Sequence, residues 1–236
     1  NPFILNLSSE IDIGDHELLI TINCNNNSQV YEKTFSINLP VSLMQSGYPY
    51  DTNSQVDSSP LVVDLDNDGS LEVIFGDYVG LVHVLSSNGE PIESNVFPYD
   101  TGNQIWGSPA AADIDLDGVL DFVITSKSKH LYAFDYNGLK FEYDADQFLI
   151  GTPVIGNIDQ DDELEVIIGG NTSSGYIFAV NHDGTDVDGF PVEVNEKIWK
   201  GFALHDFNDN GLDDIVVATD GDDYIGIYYD DGSLDT

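Results

Sequence analysis

Arginine is absent from this 236-residue chain, and six lysines face 43 aspartates and glutamates. A net charge of −37 repels nucleic-acid phosphates and anionic membrane surfaces, so neither nucleic acid nor direct membrane insertion is expected of its partners. No guanidinium is available to neutralise a uronate carboxylate. Cys24 is the only cysteine, which rules out an internal disulfide and leaves any staple to other chemistry. No apolar run is long enough to cross a bilayer, and no signal-peptide pattern is present. A sustained 3.6-residue apolar period is also missing, which removes helical bundles and helical solenoids. The histidines, His16, His83, His130, His182 and His205, are scattered, and no GxSxG elbow occurs. Neither a nucleophile with its base nor a histidine-carboxylate cluster emerges, so no catalytic residue is assigned and no enzyme is expected.

What the chain has instead is one acidic pattern, DxDxDGxxD/E, written four times. The copies run from Asp64 to Glu72, Asp113 to Asp121, Asn157 to Glu165 and Asp206 to Asp214, and their first residues lie 49, 44 and 49 apart. A hard divalent cation such as calcium takes six to eight oxygens, and alternate residues of a short loop can turn several toward one point. Positions 1, 3 and 5 supply side-chain oxygens: Asp64, Asp66 and Asp68; Asp113, Asp115 and Asp117; Asn157, Asp159 and Asp161; Asp206, Asn208 and Asn210. Position 7 is placed to offer a backbone carbonyl, from Ser70, Val119, Glu163 and Leu212. The acid at position 9, Glu72, Asp121, Glu165 or Asp214, is expected to close the shell with both oxygens. Position 6 bends sharply, which suits Gly69, Gly118 and Gly211; Asp162 is expected to take the same left-handed conformation in the third loop. Up to four Ca2+ ions are therefore expected. Loops one and two, with four carboxylates each, should bind most tightly, and loop four, with two, most weakly. An EF-hand is excluded by the strand-forming flanks Leu61 to Val63 and Val73 to Phe75, and by Phe75 where a glutamate is needed.

A period of about 40–50 residues marks a chain of stacked supersecondary units. Each opens with Ser59-Pro60, Ser108-Pro109 or Thr152-Pro153 and leads through a short strand into its loop. Runs apolar on consecutive residues follow (Leu71 to Phe75, Leu120 to Thr125, Leu164 to Ile168, Asp214 to Ala218), as in strands covered on both faces. Third strands, Leu81 to Leu85, His130 to Phe134, Tyr176 to Val180 and Tyr224 to Tyr229, end at Asn88-Gly89, Asn137-Gly138, Asp183-Gly184 and Asp231-Gly232. Those dipeptides predict type I′ hairpins with positive φ at both central residues. Proline places the fourth strands, Phe97 to Thr101 and Phe190 to Val192, at an edge. Four antiparallel strands per unit describe an all-β fold, a β-propeller of four-stranded blades at about 58–106, 107–150, 151–199 and 200–236.

The repeated loop with its trailing Asn/Asp-Gly hairpin resembles the FG-GAP/VCBS repeat family, the integrin-α-like calcium-binding propellers also common in secreted bacterial proteins. The resemblance covers about residues 45–236, and Phe75-Gly76 carries part of the family dipeptide. It implies calcium between the first and second strands of each blade, in a domain that binds rather than catalyses.

Residues 1–44 stand outside the repeat and read as the closing strands of an upstream immunoglobulin-like β-sandwich plus linker, so the chain is expected to be part of a longer multidomain protein. Gly47 to Thr52 matches the fourth-strand segment Phe97 to Thr101 and precedes any first strand. It would complete the last blade of a closed four-bladed ring, or belong to a larger ring; the family's usual count of about seven favours the latter. Trp106 and Trp199 occupy equivalent places, where the other units carry Asp57 and Ile150, and read as packing between blades or a ligand platform. Two functions fit: a secreted or cell-surface module for adhesion, or for binding an extracellular protein or glycan, and the substrate-binding propeller of a secreted polysaccharide lyase or other hydrolase.

Overall fold

The computed structural model describes residues 14–26, 29–41, 47–92, 96–221 and 225–235. Among them there are strands and no helix, and the chain divides into two compact units, Asn1–Tyr48 and Pro49–Thr236. The first is an antiparallel pair, β1 (Gly14–Asn26) with β2 (Gln29–Val41). Its register sets Leu18 opposite Ile37 and Ile20 opposite Phe35, so the alternation puts these apolar residues on one face. Two strands alone cannot bury such a face.

The second unit is built of blades. Blade one is β3 (Leu61–Val63), β4 (Glu72–Gly76), β5 (Leu81–Leu85) and β6 (Tyr99–Asp100); blade two is β7 (Ala110–Ala112), β8 (Asp121–Thr125), β9 (His130–Asp135) and β10 (Gly138–Asp144). Blade three is β11 (Val154–Gly156), β12 (Glu165–Gly169), β13 (Tyr176–Val180) and β14 (Val192–Glu193). The fourth sheet has three described strands, β15 (Ala203–His205), β16 (Asp214–Ala218) and β17 (Ile225–Tyr228); Tyr224, expected in β17, lies outside the described residues. In every sheet, strands adjacent in sequence are adjacent in space and antiparallel.

The consecutive apolar runs are explained by blade stacking. Phe122 and Ile124 of β8 enter a core shared with Ile74, Val82 and Val84 of blade one, while Val123 between them enters a core shared with Val166, Ile168 and Phe178 of blade three. Ile167 then faces Ile215 and Val217 of blade four. The second strands of blades two and three, β8 and β12, thus each serve two interfaces with alternate residues.

The Ser/Thr-Pro openings stitch the innermost strands. The Ser59 N–H donates to Ser108 Oγ at 2.9 Å, and the Ser108 N–H to Thr152 Oγ1 at 3.1 Å. Small residues are required beside them: a Cβ at Gly107 would lie 2.4 Å from the carbonyl oxygen of Gly151, and one at Gly151 2.4 Å from that of Lys200.

Two expectations are corrected. The hairpins are not type I′. In three of them the residue just after the third strand bonds across three loop residues (Ser86 N to Glu90 O, Asn181 N to Thr185 O, Tyr229 N to Ser233 O), and only the glycine, Gly89, Gly184 or Gly232, takes positive φ. The preceding Asn or Asp instead accepts the N–H two residues on, as Asp183 does from Thr185 and Asp231 from Ser233, which holds it in an Asx turn. This is the three-residue loop with a glycine bulge. Asn137-Gly138 alone leads directly into a long outer strand, β10. The segment Gly47 to Thr52 forms no strand and does not pair with β17; Tyr50 packs on Phe75 and His83 of blade one, as Tyr99 packs on Tyr132 and Phe134 of blade two. Tyr50 thus stands to blade one as Tyr99 stands to blade two, and no ring closes among the described residues.

Gly151→Ala should lower stability by about 1–3 kcal/mol, the cost of overpacking against backbone that cannot swing away. Denaturant unfolding reads this directly, and an unchanged midpoint would mean that the innermost strands separate freely.

Candidate metal centres

All four acidic loops join the first strand of a blade to its second, so they recur at the same end of the inner strands. Loops one, two and four share one backbone. Position 4 is left-handed (Asn67, Leu116 and Asp209, φ 55–58°), and so is the glycine at position 6 (φ 89–93°). The carboxylate at position 1 makes this path, because Asp64, Asp113 and Asp206 each accept the N–H of that glycine at 2.8–2.9 Å. A Cβ there would meet nothing within 4 Å, so Gly69, Gly118 and Gly211 are needed for their φ alone. The left-handed position 4 was not legible, since Asn67, Leu116 and Asp209 share no residue type.

Loop three departs from this. Asn157 donates its amide to the Asp161 carbonyl at 3.1 Å, and neither Gln160 nor Asp162 takes positive φ, against the expectation for Asp162. With an amide donor in place of an accepting carboxylate at position 1, nothing gathers the N–H groups into the tight turn.

The acid at position 9 is tied to its own loop by a hydrogen bond the motif does not announce. One oxygen accepts the N–H of position 2 in every loop: Leu65 to Glu72 at 2.9 Å, Ile114 to Asp121 at 3.1 Å, Ile158 to Glu165 at 2.7 Å and Phe207 to Asp214 at 2.8 Å. All four acids are buried at the head of their second strand.

Three loops gather carboxylates around a common point: Asp64, Asp66 and Glu72; Asp113, Asp115 and Asp121; Asp159, Asp161 and Glu165, with ligand oxygens within 4.8 Å of one another. Asp68 and Asp117 stand outside these trios and accept the N–H of Ser70 and Val119. Crowding shows in the ionisation. Burial pushes Glu72 up, the Leu65 N–H opposes this, and the charges of Asp66, Asp68 and Asp64 add to it. Burial carries Glu165 further, to about 7, with Asp159 and Asp161 contributing. Buried oxygens without a hydrogen-bond donor lie in the same loops: Asn157 Oδ1 and Glu165 Oε1 in loop three, Asp113 Oδ1 and Asp115 Oδ1 in loop two. A buried acceptor that lacks a donor fits an oxygen-seeking cation.

Loop four is different. The N–H groups of Gly211 and Asn210 hold Asp206 below the ordinary carboxylate range, and the Asn208 amide reaches Asp214 Oδ1 at 3.4 Å. Asn210 likewise gives its amide to Asp230 at 3.0 Å, and its Oδ1 accepts the N–H of Leu212. Its charges are already answered by N–H groups. Loop two contains a group no motif announces, the Lys140 ammonium, 2.7 Å from Asp115 Oδ2 and 2.9 Å from Asp121 Oδ1.

The tryptophans converge. Asp57, Trp106, Ile150 and Trp199, the equivalent residues of the four units, line one cavity of about 350 Å³ together with Lys200. Trp106 stacks on Tyr78 and carries Lys127 over its ring at 4.3 Å, whereas Trp199 is 40% exposed and donates its Nε1–H to Asp220 at 2.9 Å.

Residues 64–124, from loop one into β8, match the FG-GAP-like repeat family. No curated protein matches the chain. Among solved structures, BBS1N in complex with ARL6DN, soaked with lead, is similar with a TM-score of 0.56 at 14% identity, covering 78% of this chain and 56% of that one. The mercury-soaked form of that complex gives 0.53 at 12%, covering 81% and 54%. The biofilm matrix protein Bap1 of V. cholerae gives 0.43 at 18%, covering 80% and 40%. The chain spans about half the length of the BBS1N structures, and at these identities the likeness is one of fold.

Loop three yields a pH prediction for the metal-free protein. Glu165 ionises near 7 when folded and near its ordinary value of 4.5 when unfolded, so the folded state holds the proton longer. The resulting stability is present below about pH 4.5 and is lost as pH rises through 7. Melting curves in chelator should therefore fall over that window, and Glu165→Gln should flatten the fall. A profile already flat in the parent protein would count against the buried, crowded carboxylate.

Proposed function

We propose that this chain is a calcium-stabilised, non-catalytic binding module of an extracellular protein, serving adhesion or the capture of a protein or glycan. The observation that carries it is the recurrence of acid trios at equivalent points of three successive blades, loops two and three also holding buried acceptors that lack donors. Loops one and three are the best sites: Asp64, Asp66 and Glu72, and Asn157, Asp159, Asp161 and Glu165, would hold the cation, with Asp68 and the carbonyls of Ser70 and Glu163 completing the shells. Loop four would bind weakly through Asp206, Asn208, Asn210, Asp214 and the Leu212 carbonyl.

Catalysis has little to build on. The His83–Asp77 pair is buried, and Asp77 Oδ1 is spent accepting the N–H groups of Val79, Gly80 and Leu81. The exposed face of Trp199 beside Lys200 and Asp57 is the natural contact surface, because a flat ring with polar neighbours suits a sugar or a protein side chain. The alternative, the substrate-binding part of a secreted lyase or hydrolase, would use the same rim. The reading of residues 1–44 as the end of an immunoglobulin-like domain belongs to this proposal.

Each site held at ten to a hundred times its dissociation constant adds about 1.4–2.7 kcal/mol. A chelator should therefore lower the melting temperature markedly, with recovery on calcium and little on magnesium, whose octahedral demand suits these loops badly. Coincident curves from a sample verified metal-free would reduce the loops to acidic turns. Trp199→Ala should weaken capture on a glycan or protein array without changing the melting temperature. Release of unsaturated sugar from a uronate polymer by the purified chain would instead establish a lyase.

A further inference from the structure

The outer strand of blade two carries one residue too many. Its ladder pairs Leu139 with Phe134 and Phe141 with Ala133, so Lys140 bulges out between consecutive pairs. A bulge re-aims the side chain it releases. Here the side chain runs into the second acidic loop, where Nζ meets Asp115 Oδ2 at 2.7 Å and Asp121 Oδ1 at 2.9 Å, positions 3 and 9 of the expected ligand set. The lysine side chain is 18% exposed and that of Asp121 is 0% exposed, so this is an interior contact. The residue two places after the hairpin glycine is Pro91, Asp186 or Leu234 in the other units, none of them cationic.

We propose that Lys140 is the resident cation of the second loop, which therefore binds calcium far more weakly than loops one and three and keeps its shape without it. An ammonium is a compact point charge with three donors and can bridge two carboxylates that a metal would otherwise share. Calcium affinity follows the charge and number of the ligand oxygens. Lys140 cancels one of the loop's four ligand charges and engages an oxygen on each of two ligands. A calcium ion approaching the free Asp113 Oδ1 and Asp115 Oδ1 would meet that positive charge at close range. A loop with a full set of four carboxylates is thus among the least dependent on metal. This rests on the calcium reading of loops one and three.

Calcium titration by calorimetry, with stoichiometry from native mass spectrometry, tests it on the full chain. Lys140→Met should take up one additional ion, or bind one at least about tenfold more tightly, and adding Asp113→Asn should remove that gain. Lys140→Arg, which keeps the charge, should behave as the parent. If Lys140→Met folds only when calcium is supplied, the metal has replaced the ammonium, which supports the inference. Unchanged stoichiometry and affinities in Lys140→Met would overturn it, as would a parent protein that loses a tight site on Asp113→Asn. Failure of the calcium reading looks different: no variant takes up calcium. The affinity comparison then falls with that reading, while Lys140 as the resident cation stands if Lys140→Met melts well below the parent and Lys140→Arg does not, and falls if all three melt together.

Discussion

A buried carboxylate at the head of every second strand is the constraint on which the blades depend. Glu72, Asp121, Glu165 and Asp214 each accept the N–H of position 2, fixing the loop to the strand that follows it. The same burial makes the charge expensive, because an ion taken from water without compensation costs several kcal/mol. The blades answer this cost differently. Blade two brings an ammonium, blade four brings the Asn208 amide, and blade three leaves Glu165 with a donorless oxygen and an ionisation near neutrality. Blade one sets the carboxylates of Asp64 and Asp66 beside Glu72. Near-identical motifs therefore carry unequal chemistry.

Stacking propagates from that fixed point. Once position 9 anchors the strand, the residues after it alternate between two neighbours, Phe122 and Ile124 toward one blade and Val123 toward the other. Loops of successive blades are also joined directly: the Leu164 N–H donates to the Ile114 carbonyl and the Asp213 N–H to the Asn157 carbonyl. A disturbance in one loop thus reaches the next, as expected of a quasi-one-dimensional array in which each unit contacts its neighbours.

Much of this was legible from residue type and spacing. Consecutive apolar residues announced β8 and β12, and Asp at alternate positions announced the loops, because both patterns follow from local periodicity. What escaped was decided by hydrogen bonds that spacing does not encode. Asn88, Asp183 and Asp231 read as type I′ residues but prefer an Asx turn, and the bond from the position 2 N–H to Glu72 and its equivalents leaves no trace in the spacing. The strand expected over Gly47 to Thr52 does not form, and ring contacts place Tyr50 on blade one. Lys140 was invisible, since nothing near Asn137-Gly138 signals the bulge that aims it.

The scarcity of positive charge gives that lysine its weight. Among six lysines, Lys129 makes an exposed pair with Asp146, which water and salt screen. Lys127 and Lys197 lie over the two tryptophan rings. Only Lys140, among the described residues, bridges two acids in the interior. Surface self-repulsion at a net charge of −37 is screened within about 8 Å at physiological salt. Buried loop charge is screened far less, so salt can relieve the surface but not the interior. The interior acids need a partner held at fixed distance, whether metal, amide or ammonium, and under the proposed calcium reading that requirement would decide which blades depend on the ion.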